Sequence, residues 1–179
     1  YRFRLIVSPD GWERARRSVP EGQISPKAEA YRQYFQKLID ELREQHRFTA
    51  ARVGQPQSWY SFSSGMAGIT YGACFAQGGK ARVELYIDLG DAQPNKQLFE
   101  ALVANRQDIE REFGEVLEWE RLDDRRASRI ALYRAGSIAD DEDTLTEMRT
   151  WMIEHLLKMK RVFSSRLRSY KKKPGRIES

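Results

Sequence analysis

Ala81-Arg-Val-Glu-Leu-Tyr-Ile-Asp88 is the stretch that decides the fold of this chain. Apolar and polar residues alternate along it, so it predicts the central strand of a sheet. The apolar residues would share one face of that sheet: Val83, Leu85 and Ile87. The residues between them would share the other face: Arg82, Glu84, Tyr86 and Asp88. We therefore expect a dry face that packs on the core and a polar face where function resides.

Other segments predict partners for this strand. Ile69 to Ala76 would pair with it antiparallel, because Gln77-Gly78-Gly79-Lys80 between them is a hairpin signal. Phe48 to Val53 predicts a further short strand, and the aromatic segment Ser58-Trp-Tyr-Ser-Phe-Ser63 would lie beside a strand. A second strand pair is expected from two later segments joined by a charged turn: Leu117 to Leu122 and Ser128 to Tyr133.

Three long segments have helical periodicity. Ser25-Pro26 is a favourable opening for the first, which should run to about Gln45. Pro94 and Asn95 would open the second, and Gly114 would end it. A capping box of Thr144 and Glu147 predicts the start of a long third helix. Its apolar stripe would comprise Leu145, Met148, Met152, Leu156, Met159, Phe163 and Leu167.

This order of elements predicts an α+β fold, with a mostly antiparallel sheet of about five strands and three main helices covering its apolar side. We expect a single domain over residues 25–169, preceded at 1–24 by a strand, a short helix and a linker from an upstream region. Residues 170–179 would form a basic disordered tail. Because the chain starts at Tyr1, in a strand-like run and without an initiator Met, we expect part of the parent protein to precede it.

Composition limits the classes of function. The single cysteine, Cys74, cannot form an internal disulfide, which favours a reducing, cytoplasmic setting. No apolar run approaches the roughly 18 residues of a membrane helix, so no membrane association is expected. With only His46 and His155 beside that cysteine, neither a zinc site nor a nucleophilic triad can be assembled. We expect no catalytic residue, no metal site and no cofactor, and His155 should pack within its helix.

One catalytic alternative stays open. The order helix, three strands, helix, strand is also that of the restriction-endonuclease-like core, whose acids on adjacent strands hold a divalent cation. Glu84 lies in the right strand, but Tyr86 stands where those enzymes have lysine, and the preceding strand has no acid. A single carboxylate does not hold a hydrolytic metal, so a divergent metal-dependent nuclease-like hydrolase is the weaker hypothesis.

Charge is distributed unevenly in this chain of formal net charge +5. Six acids and one base lie between Asp140 and Glu154, whereas Lys158 to Arg176 contains nine bases and no acid. This polarity would suit the helix dipole, and it would equally suit phosphate binding. Aromatic and basic residues also alternate near the predicted strands, as in proteins that bind single strands or distorted duplexes. The candidate nucleic-acid-binding residues are Trp59, Tyr60, Lys80, Arg82, Arg121, Arg125, Arg126, Lys160, Arg161, Arg166, Arg168, Lys171, Lys172 and Lys173.

Several blocks together resemble a prokaryotic family, domain of unknown function 4268. They are Val7-Ser-Pro-Asp-Gly-Trp12, the aromatic helix around Tyr31 to Leu42, Ser58-Trp-Tyr60, Arg82-Val-Glu-Leu-Tyr-Ile87, Ile109-Glu110 with Gly114, Leu117-Glu-Trp-Glu-Arg-Leu122 and Ala127-Ser-Arg-Ile130. In that family the domain commonly forms the C-terminal half of a protein whose N-terminal half resembles a PD-(D/E)XK nuclease. The resemblance implies DNA-directed work in restriction or antiviral defence, and it brings no catalytic residues to this chain.

Our leading hypothesis is therefore a non-catalytic nucleic-acid-binding or targeting domain of a nuclease-type prokaryotic defence protein. Its partners would be DNA and a covalently linked upstream nuclease-like domain. The second hypothesis is a homodimerisation module in which the methionine-rich stripe of the long helix packs against a second copy.

Overall fold

The structure is a computed structural model that describes residues 23–173. Within this range five strands form one antiparallel sheet in the order β1-β2-β3-β5-β4. The strands are β1 (Trp59–Ser63), β2 (Ile69–Ala76), β3 (Lys80–Ile87), β4 (Glu118–Glu120) and β5 (Ser128–Ala135). The helices are α1 (Pro26–Glu44), α2 (Ala92–Val103), α3 (Arg106–Phe113) and α4 (Glu142–Lys171). The predicted α+β class is confirmed, and β3 lies at the centre of the sheet.

The register of the strands places their apolar residues side by side on one face of the sheet, the dry face. Val83 lies opposite Ala73 and Leu132, and Leu85 lies opposite Tyr71 and Ile130. Helices α1 and α4 cover this face. The Tyr34 ring of α1 packs edge-on against Phe75, with 4.8 Å between the ring centroids. On α4, the Ser164 hydroxyl lies 3.3 Å from the Tyr71 hydroxyl.

The methionine-rich stripe of α4 is part of this intramolecular core. Its members from Met148 to Leu167 are at most 2 % exposed: Met148, Met152, Leu156, Met159, Phe163 and Leu167. Because the stripe is already buried within one chain, it offers no seam for a second copy. The homodimer hypothesis therefore has no support from this feature.

One of the five strands was assigned to the wrong segment. Phe48 to Val53 is not a strand. Side chains of α1 bind two of its backbone carbonyls instead. Gln36 Nε2 donates to the Arg52 carbonyl at 2.8 Å, and Arg43 Nη1 donates to the Ala51 carbonyl at 3.0 Å. The fifth strand is β1, which pairs with β2 along its whole length.

The helices differ from the sequence-based predictions in number and in bounds. The single helix expected from Pro94 starts at Ala92 and is two, α2 and α3. It is interrupted near Asn105, whose side-chain amide donates to the Ala101 carbonyl at 3.2 Å and competes with helical bonding. There are therefore four helices among residues 23–173. Helix α4 starts at Glu142, because Asp141 rather than Thr144 caps it and accepts a hydrogen bond from the Thr144 amide at 2.8 Å. Ser25 caps α1 as predicted.

The end of α4 also lies later than the predicted domain boundary. The helix includes Lys171, and Tyr170 is buried at 7 % exposure, so the first two residues of the expected tail belong to the domain. The rest of that tail from residue 174 and the predicted strand and short helix within 1–22 lie outside the described residues. Within residues 23–173 no helix is long and apolar enough to cross a membrane.

Lys96 of α2 holds the turn between β4 and β5. Its ammonium group donates to the carbonyls of Leu122 at 2.8 Å and Ala127 at 2.7 Å and to the Ser128 hydroxyl at 3.0 Å. It also donates to the Arg121 carbonyl. One cation thus binds four acceptors of this turn, in addition to the turn's own hydrogen bond from the Arg125 amide to the Leu122 carbonyl at 2.9 Å.

We expect Lys96→Met to destabilise the domain. The substitution keeps most of the aliphatic chain but leaves several partly buried carbonyls without a donor, which should cost about 2 kcal/mol. Urea unfolding measures the loss. Lys27→Met is the matched control, since Lys27 is exposed at the start of α1 and should tolerate the change. Equal stabilities of the two variants would contradict the role given to Lys96.

Candidate functional site

The polar face of the sheet contains a buried ion pair at its centre. Arg82 and Glu84 are each 3 % exposed, and Arg82 Nε lies 2.6 Å from Glu84 Oε2. Gly72 on β2 makes room for the carboxylate, since a Cβ there would lie 3.0 Å from Glu84 Oε1. The predicted alternation of β3 is correct, but its polar side chains are not on the surface. Arg82 is therefore not exposed, contrary to its assignment as a surface contact.

Strands β4 and β5 extend this pair into an ion network of Arg82, Glu84, Arg129, Glu120 and Tyr133. Arg129 Nε donates to Glu120 Oε2 at 2.7 Å, and its Nη1 lies 3.8 Å from Glu84 Oε2. The Tyr133 hydroxyl donates to Glu120 Oε2 at 2.8 Å. Two guanidinium groups and two carboxylates thus balance each other across three strands.

Burial changes the acidity of groups in and beside the network. It raises the pKa of the Cys74 thiol to about 12, with a further contribution from the Glu84 carboxylate. Burial alone would lower the pKa of Arg82, but Cys74, Glu84 and Tyr133 raise it above its ordinary value. Arg82 therefore keeps its charge at any physiological pH, and Cys74 stays a protonated thiol.

Sequence reasoning did not identify Glu120 and Tyr133. A signal for one of them was present, because Glu120 lies directly opposite Arg129 in the β4–β5 register and opposite charges are favoured in such cross-strand pairs. Using that signal required the register, which depends on the length of the turn between the strands.

The other sheet residues predicted to bind nucleic acid lie in different environments. Tyr60 is on the dry face, with 5.0 Å between the centroids of its ring and that of Phe62, so it packs at the edge of the hydrophobic core. Trp59 is half-buried on the opposite face, opposite Cys74 in the register. The two aromatic residues therefore do not form one stacking surface.

Two of the turn arginines are engaged by carboxylates. Arg126 Nη2 lies 2.6 Å from Asp88 Oδ2, and Arg121 Nε lies 2.9 Å from Glu100 Oε1 and also contacts Asp123. The two Arg121 pairs are exposed on both sides and contribute little to stability. In the Arg126 pair only the guanidinium is exposed, since the Asp88 side chain is 8 % exposed.

A cavity of about 670 Å³ opens on the polar face, next to the β2–β3 hairpin. We call it the sheet cavity. Charged and aromatic side chains line it: Lys80, Arg82, Arg125, Glu118, Glu120 and Tyr133. Lys80 is exposed at its rim, with Nζ 5.8 Å from the centroid of the Tyr133 ring. Three predicted residues thus meet here: Lys80, Arg82 and Arg125.

A second cationic region lies on the outer side of α4. We define the basic face as Lys160, Arg161, Arg168, Lys171 and Lys172, all of which are exposed. At about 100° per residue these five positions span roughly a third of the helix circumference. No acidic residue follows Glu154 within α4, so the basic face contains cations only.

Two predicted bases near α4 differ from this group. Arg166 points toward α3, where it makes two hydrogen bonds to the Glu112 carboxylate at 2.8 and 3.0 Å. It is therefore a tie between helices. Lys173 is exposed just beyond the end of α4.

Glu84 has no partner carboxylate for a metal ion. Among residues 23–173 no group of three or more metal-binding side chains comes together. The Glu84 carboxylate is instead paired with Arg82.

His155 is buried at 4 % exposure. Its Nε2 lies 2.6 Å from Glu115 Oε2 and its Nδ1 lies 2.7 Å from the Trp151 carbonyl, so it packs within the helix layer as expected.

Comparison with known families identifies the chain's relatives. The profile of the family described as "Domain of unknown function (DUF4268)" matches residues 30–167. The chain belongs to this family. The match contains all five strands of the DUF4268 domain and nearly all of α1 and α4, which confirms the family named by the sequence resemblance. The chain matches no curated protein and no solved structure.

Proposed function

We propose that this DUF4268 domain binds nucleic acid without catalysing a reaction, and that the basic face of α4 contacts the phosphate backbone. The observation that carries the proposal is the concentration of five exposed bases on one side of the C-terminal half of α4, with no acid among them. Backbone contacts of this kind supply most of the affinity of sequence-independent binding.

The position of the bases favours this function over dipole compensation. A helix dipole stabilises cations only within about the last turn. Arg168, Lys171 and Lys172 satisfy that condition, but Lys160 and Arg161 lie nearly three turns before the end of α4. Their contacts within the protein are weak: Arg161 Nη2 donates to the Glu112 carbonyl at 3.4 Å, and Lys160 Nζ lies 5.2 Å from the centroid of the Phe48 ring.

The length and the free charges of the basic face also suit a polyanion. Lys160 and Lys171 are separated by about 16 Å along the helix axis, enough to follow several phosphates of one strand. In the described part of the chain, Lys160, Arg161 and Arg168 form no ion pair, whereas Arg166 is paired with Glu112. Within residues 23–173 no carboxylate therefore neutralises these three charges in an ion pair, which favours contacts with phosphate.

In the parent protein we propose that the domain targets a linked nuclease-like domain to DNA in prokaryotic defence. The support for this finer statement is the sequence resemblance alone. In this hypothesis the DUF4268 domain binds the DNA, and the linked upstream domain hydrolyses it.

The test is fluorescence anisotropy of labelled duplex and single-stranded DNA across a salt series. We expect binding at low salt that weakens linearly with the logarithm of salt concentration, because phosphate contacts release counterions. We also expect the DNA to remain intact with Mg²⁺ present. Absence of binding at low salt would overturn the proposal.

Replacing Lys171, Lys172 and Lys173 by alanine should weaken binding of all sequences alike. The slope of log affinity against log salt should fall by about three units or fewer, because each lost phosphate contact removes about 0.9 units. The melting temperature should barely change, since exposed lysines at a helix end contribute little. A lower melting temperature with unchanged binding would instead show that these lysines stabilise the C-terminus of the helix and do not contact DNA.

A further inference from the structure

The sheet cavity lies on the face of the sheet opposite α1 and α4. Lys80, Arg82 and Glu84 alternate with the dry residues of β3, so the cavity and the basic face are on different sides of the molecule. The inference below therefore stands independently of the proposed nucleic-acid binding.

The size and lining of the cavity suit a small polar ligand. Its volume of about 670 Å³ lies within the range of small-molecule sites, about 300–1,000 Å³. Five of its lining groups are charged, and an apolar ligand would cover these charges without forming hydrogen bonds to them, which is unfavourable. The lining includes three bases and two acids, which gives it a net positive charge.

Arg82 has hydrogen-bonding capacity that the protein does not use well. It hydrogen-bonds the side chain of Tyr133, but its Nη2 donates to the Cys74 sulfur at 3.6 Å, and a thiol is a weak acceptor. Its Nε is close to Glu84 Oε2, at 2.6 Å, but the geometry is not that of a hydrogen bond. A guanidinium that is 97 % buried beside a cavity would be better satisfied by an anionic oxygen there.

The Glu118 carboxylate specifies the remainder of the ligand, since Glu120 is already bound by Arg129 and Tyr133. Glu118 is exposed at the cavity and has the same orientation in β4 as Glu120. A carboxylate is an acceptor only, so its natural partners on a neutral group are hydroxyls or amines. A ligand with an anion at one end and hydroxyls at the other would satisfy both sets of groups.

We propose that the sheet cavity binds a sugar phosphate, free or as part of a nucleotide. Lys80 and Arg82 bind the phosphate group, and Glu118 accepts hydrogen bonds from the sugar hydroxyls. The Tyr133 ring forms one wall of the site.

The experiment is an NMR titration of the protein with three probes: inorganic phosphate, ribose 5-phosphate and adenosine monophosphate. We expect both organic phosphates to bind, more tightly than inorganic phosphate, with the largest shifts at the amides of β3 and β5 that line the cavity. Tighter binding of adenosine monophosphate would identify a nucleotide site, and equal binding of the two organic phosphates a sugar-phosphate site.

Two variants separate the roles of the lining residues. Lys80→Ala should weaken ribose 5-phosphate binding about ten-fold, the loss of one charge-assisted hydrogen bond. Lys27→Ala removes one positive charge from α1, which covers the other face of the sheet, and should leave binding unchanged. Glu118→Gln should weaken ribose 5-phosphate binding but not that of inorganic phosphate.

Three results would overturn the proposal. The first is that no probe binds at millimolar concentration. The second is that Lys80→Ala binds ribose 5-phosphate as well as the natural chain does. The third is that inorganic phosphate binds as tightly as ribose 5-phosphate, which would show that the cavity binds an anion without recognising the sugar. The Lys80→Ala variant should keep its fold, because Lys80 is exposed, so a loss of binding is interpretable.

Discussion

Replacing the five residues of the basic face by alanine is expected to weaken DNA binding by a factor on the order of 10² or more at moderate salt. The residues are Lys160, Arg161, Arg168, Lys171 and Lys172. Each is exposed and each would contact one phosphate, so the slope of log affinity against log salt should fall by about 4.5 units. Fluorescence anisotropy across a salt series measures both quantities, and circular dichroism should show an intact helix, since alanine favours helix.

The control for this variant removes the same number of charges elsewhere. Its positions are exposed and lie on α1, α3 and the segment before β1: Lys27, Lys37, Arg52, Arg106 and Arg111. Because both variants have the same net charge, a general electrostatic attraction would weaken both equally. We expect the control to lose far less affinity. Similar losses would show that binding does not depend on the basic face.

Glu84→Gln should lower the free energy of unfolding by about 3–5 kcal/mol, the usual cost of breaking a buried ion pair. The amide keeps the shape of the side chain but leaves the Arg82 guanidinium without a counter-charge at 3 % exposure. Arg129 would also lose a nearby carboxylate, although Glu120 remains. Urea unfolding at neutral pH measures the effect.

Two further variants test the physical reason. Glu118→Gln changes an exposed carboxylate next to the sheet cavity and should alter stability by no more than about 0.5 kcal/mol. Arg82→Met combined with Glu84→Leu should recover much of the loss, because replacing a whole buried pair by apolar groups is often neutral. If Glu84→Gln is as stable as the natural chain, Arg82 must have another sufficient partner and the ion network has been misread.

The ion network shows where sequence reasoning reached its limit. Alternation along β3 correctly predicted which side chains share a face, since strand geometry has a period of two. It did not predict that the polar face is buried. Charged residues are buried only when partners neutralise them. Arg82 and Glu84 pair within β3, but Arg129 and Glu120, which complete the network, come from strands more than thirty residues away.

The errors in the element boundaries have a related cause. Phe48 to Val53 has the composition of a strand, yet Gln36 and Arg43 of α1 bind its carbonyls before any strand can. Thr144 with Glu147 matches a capping box, but the Asp141 side chain, three residues earlier, accepts a hydrogen bond from the backbone amide of Thr144, so the helix already includes Thr144. In both places the sequence was compatible with more than one local structure, and hydrogen bonds from neighbouring side chains determined which one forms.

The sequence alone determined the α+β class, the central place of β3, the hairpin at Gly78-Gly79 and the clustering of bases in the last helix. These features depend on local periodicity, turn chemistry and charge order, which are properties of neighbouring residues. Only the tertiary structure decided that Arg129 and Glu120 extend the Arg82–Glu84 pair, that Arg166 binds Glu112 and that Lys80, Arg125 and Tyr133 meet at one cavity. These outcomes depend on strand register and helix docking, which bring together residues far apart in the chain and so leave no local trace.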